Sequence, residues 1–193
     1  MPISSDMIID SITNATPPLS TTRIPRVPEM VKEIHDCQKY YVPKVVSIGP
    51  YHFGTPKLEY FEKLKPIYTM KLVAGNREIL RRLYEKLGEP GMVRDLRSFY
   101  EENSTTTFND EVFTKMMLLD SCFILYYNQC IHDGKPEDCP ELKGHQVVFV
   151  HQDLFMLKNQ IPFKVLNLVI SLMGDGRFDK INSFIYGNIL APR

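Results

Sequence analysis

Hydrophobic residues along much of this chain recur at intervals of three and four, which is the spacing of one face of an α-helix. The first clear stripe consists of Leu58, Phe61, Leu64, Tyr68 and Leu72. Pro66 lies within this stripe and has no N–H to donate to the carbonyl oxygen of Glu62. We therefore expect a first helix with a kink or a restart at Pro66.

The same spacing predicts further helices on both sides of this stripe. Their expected bounds are Pro28 to about Cys37, Asn76 to Gly88, Met92 to about Glu102, Asp110 to Gln129, and Pro162 to Met173, with a helical turn over Asp153–Lys158. Asn76 is expected to cap one helix, and Thr107 or Asn109 to cap the longest. Between Met116 and Tyr127 the longest helix is apolar on almost all sides, which is typical of a helix buried inside a domain.

Two short apolar runs predict strands. Lys44–Gly49 is rich in β-branched residues and lies between two prolines, and Gln146–Val150 is its expected partner. Residues Met1–Thr22 are rich in serine, threonine and proline without a sustained period, so we expect a disordered lead. The expected fold is mainly α: a helical domain with a small two-stranded β element, within residues 23–193.

Composition and charge narrow the class of protein. A hydrophobic content of 44% and an aromatic content of 11% fit a globular domain. Lys plus Arg and Asp plus Glu balance at 23 each, so no net charge attracts nucleic acid. No run reaches the roughly 18–20 apolar residues of a membrane span. The N-terminus does not resemble a signal peptide and the four cysteines form no regular framework, so we predict a reduced, cytoplasmic chain.

Asp120 and His52 are the main candidates for chemistry. Asp120 shares a helical face with apolar residues, so its carboxylate needs a partner or a raised pKa, and such groups are frequent at active sites. The alternative is a structural role, in which Asp120 bonds an arginine, a tyrosine hydroxyl or backbone donors. His52 is either a catalytic or ligand histidine or a residue that caps a turn. We favour the structural role for both.

No complete catalytic, cofactor or metal site is predicted. The histidines and cysteines have no metal-binding spacing, and neither a G-x-S-x-G elbow nor a phosphate-binding glycine loop is present. The helix after Pro162 carries only a narrow polar stripe of Lys164, Asn167 and Ser171. We expect it either to be buried in the core or to pack against something that this chain lacks.

Three segments together resemble one family, the plant proteins that carry domain of unknown function 247. They are Ile24–Pro28 leading into Tyr41–Gly54, then Met116–Leu125, then Asp153–Phe163. The chain departs from the family pattern at Phe53, where a second histidine is usual, at Ser121, where glycine is usual, and at Lys158, where glutamate is usual. Phe53 argues against a paired-histidine metal site.

The resemblance implies a recognition or signalling role. Family members are typically more than twice this length and often end in a membrane anchor, so the resemblance implies the N-terminal part of such a protein. No activity is established for the family, and no catalytic residue carries over. Some grass members are linked to self-incompatibility and others to stress.

We therefore expect a non-enzymatic recognition protein with a protein partner, no cofactor, no nucleic acid and no membrane span in this chain. Two alternatives remain. One is a hydrolase- or transferase-like enzyme that uses Asp120 and His52. The other is a truncated paralogue with little function of its own.

Overall fold

A computed structural model describes residues 23–24, 41–133, 142 and 144–173. The predicted lead at residues 1–22 and the predicted helix from Pro28 to Cys37 lie outside the described residues.

Six α-helices form the described part of the chain, and most of the predicted helices are confirmed. They are α1 Glu59–Leu72, α2 Arg77–Leu87, α3 Pro90–Ser98, α4 Asp110–His132, α5 Gly144–Leu154 and α6 Phe163–Met173. Asn76 caps α2 by accepting hydrogen bonds from the N–H groups of Glu78 and Ile79, at 3.0 and 3.1 Å. Asn109 caps α4. Of the two outcomes predicted at Pro66, a kink or a restart, the restart is wrong, since α1 continues through Pro66 as one helix.

The core is built around α4, which contacts α1, α2, α3 and α6. Its middle is buried on nearly every side, as its sequence predicts. Phe123, for example, is fully buried and packs against the rings of Phe61, Tyr68 and Tyr127. One apolar face of α6 is also buried, whereas its polar stripe is exposed; the buried residues are Val165, Leu166, Val169 and Ile170. The first of the two alternatives for the last helix, burial in the core, therefore holds.

The predicted two-stranded β element is wrong, because the part of the chain that the structure describes contains no β-strand. Gln146–Val150 lies inside α5. A run of five apolar and polar residues is too short for its period to separate strand from helix. Over a longer window Val147, Val150 and Leu154 share the spacing of a helical face. Val150 is buried in the core, and the partly buried Val147 and Leu154 pack against it.

The other expected strand, Lys44–Gly49, is an irregular loop (the Lys44–Gly49 loop). Its residues Val46, Ser47 and Ile48 are no more than 1% exposed. Buried N–H and C=O groups must find partners, and a strand would find them in a neighbouring strand. In this loop the partners are side chains of the helices and their connections. The apolar residues of the loop are therefore buried as the pattern indicates, but by a different hydrogen-bonding scheme.

Gly49 ends the loop in a conformation that requires glycine. Its φ is +73°, and a Cβ atom there would lie 2.3 Å from the carbonyl oxygen of Gln160. We expect Gly49→Ala to lower the free energy of unfolding by roughly 2 kcal/mol or more, through both strain and overlap. Chemical denaturation measures this loss.

Gly54→Ala is the matched control for Gly49→Ala. Gly54 has a similar φ of +78°, but no atom lies within 4 Å of the position of an added Cβ. Its substitution therefore carries the strain without the overlap. Equal losses for the two variants would show that the contact with Gln160 contributes nothing.

Candidate functional site

Asp153, in the last turn of α5, holds the start of the Lys44–Gly49 loop. Its carboxylate accepts hydrogen bonds from the backbone N–H groups of Lys44 at 2.9 Å, Val45 at 2.8 Å and Val46 at 3.0 Å. The side chain is fully buried. Burial raises the pKa of Asp153, and the three backbone donors oppose that rise. One carboxylate thus replaces the acceptors that a neighbouring strand would supply.

Asn159, in the connection between α5 and α6, holds the middle of the loop. Its side-chain oxygen accepts from the N–H of Ile48 at 2.7 Å. Its side-chain nitrogen donates to the carbonyl oxygens of Val46, at 3.0 Å, and Asp153, at 2.9 Å. Because a carboxamide both donates and accepts, one residue can pair with both kinds of backbone group.

The end of the loop is held by a buried ion pair between α1 and α4. The Lys65 ammonium lies 2.5 Å from an Asp120 carboxylate oxygen and 2.5 Å from a Glu62 oxygen, and donates to the carbonyl oxygen of Ser47 at 2.7 Å. The other Asp120 oxygen accepts from the N–H of Gly49 at 2.7 Å. Lys65 and Asp120 are 0% and 1% exposed, so water does not share these bonds.

The charges in this cluster do not balance, because two carboxylates surround one ammonium. Burial raises the pKa of Asp120 to about 6, with Lys65 opposing the rise and Glu62 adding to it. The pKa of Lys65 is also raised, because the two carboxylates outweigh the effect of its burial. The ammonium donates hydrogen bonds to Glu62 and Ser47 and forms an ion pair with Asp120. The cluster is thus arranged to hold the loop against α1 and α4.

His52 is not part of this cluster. Burial, together with the nearby charges of Lys158 and Lys57, lowers the pKa of its ring to about 4. Its carbonyl oxygen accepts from the backbone N–H and the hydroxyl of Thr55, which closes the turn that follows the loop. Among the described residues no contact joins His52 to Asp120. The structure therefore does not bring the two candidate residues together.

Sequence reasoning found Asp120 but missed its partner. The apolar surroundings expected for Asp120 are present, and Gly49 supplies one of the expected backbone donors. Lys65 has a signal in the sequence, because it occupies a position of the α1 stripe, four residues after Phe61 and three before Tyr68. A lysine on the apolar face of one helix and an aspartate on the apolar face of another together indicate a buried ion pair.

The described residues contain neither a candidate metal site nor a candidate membrane span. These contain no group of three or more histidine, cysteine, aspartate or glutamate side chains that could hold a metal ion. No helix in the same ranges has the length and apolar character needed to cross a membrane. Cys122 and Cys130 are buried.

The three segments that carry the family resemblance meet at this site. The loop belongs to the first segment, Asp120 to the second, and Asp153 and Asn159 to the third. Residues that are distant in the sequence thus bind the same buried loop. Their joint occurrence has a physical reason that does not require catalysis.

Comparisons with known proteins agree with this resemblance. Residues 24–188 match the family DUF247, described as plant protein of unknown function. The UPF0481 protein At3g47200 of Arabidopsis thaliana is 32% identical over 149 residues, which cover 73% of this chain and 29% of that protein. The putative UPF0481 protein At3g02645 of the same plant is 32% identical over 127 residues, covering 65% and 23%. No solved structure matches.

The chain therefore spans less than a third of the length of these relatives. The family match covers well over half of its residues and includes every residue of the buried site. This chain belongs to the DUF247 family of plant proteins of unknown function.

Proposed function

We propose that this protein recognises another protein, without catalysing a reaction, by binding an acidic amphipathic helix in a surface groove. The groove lies between α1 and α2, with α4 as its floor (the α1–α2 groove). It is lined by Pro66, Thr69, Met70, Arg77, Leu80, Arg81, Tyr84, Lys115, Leu118 and Leu119. Its volume is about 610 Å³, within the range of known binding pockets.

The groove combines an apolar surface with a cationic rim. Met70 and Tyr84 are each 38% exposed, which is a large apolar exposure for side chains on two adjacent helices. Arg77 and Lys115 stand at the rim and form no ion pair with any described residue. Arg81 pairs with Glu78, and no carboxylate is among the lining residues. The observation that carries the proposal is this pair of cations, Arg77 and Lys115, which have no ion pair among the described residues and lie beside apolar side chains.

The chemistry of the groove selects the partner. A helix that lies in a groove places apolar residues at intervals of three and four on the floor. Glutamate or aspartate residues beside that apolar face would meet Arg77 and Lys115. A basic helix would place like charges together, which is unfavourable. The expected partner therefore presents an acidic amphipathic helix.

Fluorescence anisotropy on the full chain tests this proposal with two synthetic peptides. Both carry the same leucine stripe at helical spacing, one flanked by glutamate and the other by lysine. We expect the acidic peptide to bind at least roughly tenfold more tightly, and its affinity to fall as salt is added. Met70→Glu should abolish binding, and Arg77→Glu should weaken it.

Tyr60→Glu is the matched control for Met70→Glu. Tyr60 also lies on α1 and is 53% exposed, but it does not line the groove. Equal affinity for the two peptides would overturn the proposal, as would equal effects of Met70→Glu and Tyr60→Glu. Self-association that Met70→Glu abolishes, in place of peptide binding, would also overturn it, since the occupant would then be a second copy of the chain.

A further inference from the structure

We infer that a second, separate cavity binds a small ring-shaped molecule that carries one hydrogen-bond donor. The cavity lies between α4, the α5–α6 connection and the Lys44–Gly49 loop. Its lining residues are Ile48, Ile124, Asn128, Leu154, Phe155, Asn159, Gln160, Ile161, Phe163 and Leu166. None of them lines the α1–α2 groove. The two proposals can therefore fail independently.

Asn128 is the feature that distinguishes this cavity from a packing gap. It lies on α4, is 3% exposed, and its carboxamide oxygen is buried without a hydrogen-bond donor among the described residues. A buried acceptor left unpaired costs roughly 1–3 kcal/mol. The neighbouring Asn159 differs, because its oxygen and nitrogen both have backbone partners. Asn128 thus presents an unused acceptor at the wall of the cavity.

The size and lining of the cavity define the class of ligand. Its volume is about 180 Å³. An apolar cavity of about 150 Å³ engineered in another protein holds benzene, so a single six-membered ring fits here. The walls are mostly aliphatic and aromatic side chains, including Ile48, Ile124 and Leu166. A monocyclic phenol or a cyclic alcohol meets both requirements, with its ring against the apolar wall and its hydroxyl donating to Asn128.

Phenol and toluene are the probes, because they differ by a hydroxyl in place of a methyl group at nearly the same size. Titration of the ¹⁵N-labelled full chain, followed by NMR, measures both affinities. We expect saturable shifts at residues around the cavity, with phenol binding at least roughly tenfold more tightly than toluene, since the toluene complex leaves the acceptor unpaired. Equal affinities, or no saturable binding of phenol, would overturn the inference.

Asn128→Leu separates a ligand-binding role from a structural one. Leucine has a similar volume and no acceptor, so this variant should prefer toluene to phenol. Its melting temperature without ligand should equal or exceed that of the parent chain, because the Asn128 oxygen accepts no hydrogen bond from the described residues. A lower melting temperature would assign Asn128 to a structural network and overturn the inference. Asn167→Leu, on the exposed face of α6, is the control and should leave both affinities unchanged.

Discussion

Replacing Lys65 with methionine is expected to lower the free energy of unfolding by roughly 3–5 kcal/mol, which is the usual cost of removing one partner of a buried ion pair. Methionine fills a similar volume but leaves the buried Asp120 carboxylate without its cation. It also removes the donor to the carbonyl oxygen of Ser47. Because small domains are stable by only about 5–15 kcal/mol, this loss is a large part of the total. Urea denaturation followed by circular dichroism measures it.

Lys63→Met is the matched control on the same helix. Lys63 pairs with Glu59, but both side chains are more than 60% exposed, so we expect a change of at most about 1 kcal/mol. The double variant Lys65→Met/Asp120→Asn tests the coupling between the two buried residues. If Asp120 depends on Lys65, the two losses will not add, and the double variant will be more stable than their sum predicts. Additive losses would contradict the ion-pair explanation.

Asp153→Ala is expected to lower the free energy of unfolding by roughly 2–5 kcal/mol. The substitution removes the acceptor of three consecutive backbone N–H groups, and that of Val46 is buried where water cannot replace it. Protection of the Val46 amide against hydrogen exchange should also fall, by at least as much as the global free energy of unfolding falls. Denaturation and hydrogen exchange together report both effects.

Two further variants test whether the loss in Asp153→Ala comes from the hydrogen bonds to the backbone of the loop. Asp153→Asn keeps one carbonyl oxygen as an acceptor, so we expect a smaller loss than with alanine. Gln152→Ala removes an exposed neighbour whose oxygen accepts from the Lys44 ammonium, and should change stability by less than about 0.5 kcal/mol. If Asp153→Ala is no worse than Gln152→Ala, the backbone bonds do not hold the loop.

The helices could be predicted because their signals are local. The stripe from Leu58 to Leu72 and the caps at Asn76 and Asn109 each depend on residues within a few positions of one another. The prediction of a strand at Gln146–Val150 was wrong because so short an apolar run does not distinguish the period of a strand from that of a helix. The wider pattern, extended to Leu154, is helical.

The candidate site was only partly predictable for a related reason. Asp120 is conspicuous in an apolar helix, so its need for a partner is visible in the sequence. Asp153 and Asn159 look like ordinary loop and helix-end residues, and their roles appear only when the fold brings them to the Lys44–Gly49 loop. The pattern indicated that the loop is buried, but it could not show that side chains would replace a neighbouring strand.

The way the loop is held also determines when it can form during synthesis. The bonds from Asp153 and Asn159 join residues 107 to 113 positions apart. A ribosome has therefore added more than a hundred residues after the loop before Asp153 and Asn159 exist. No nascent chain that ends before Asn159 can complete these bonds, and such long-range contacts form slowly. Docking of the loop is thus a late event, which makes it the step most exposed to competing associations.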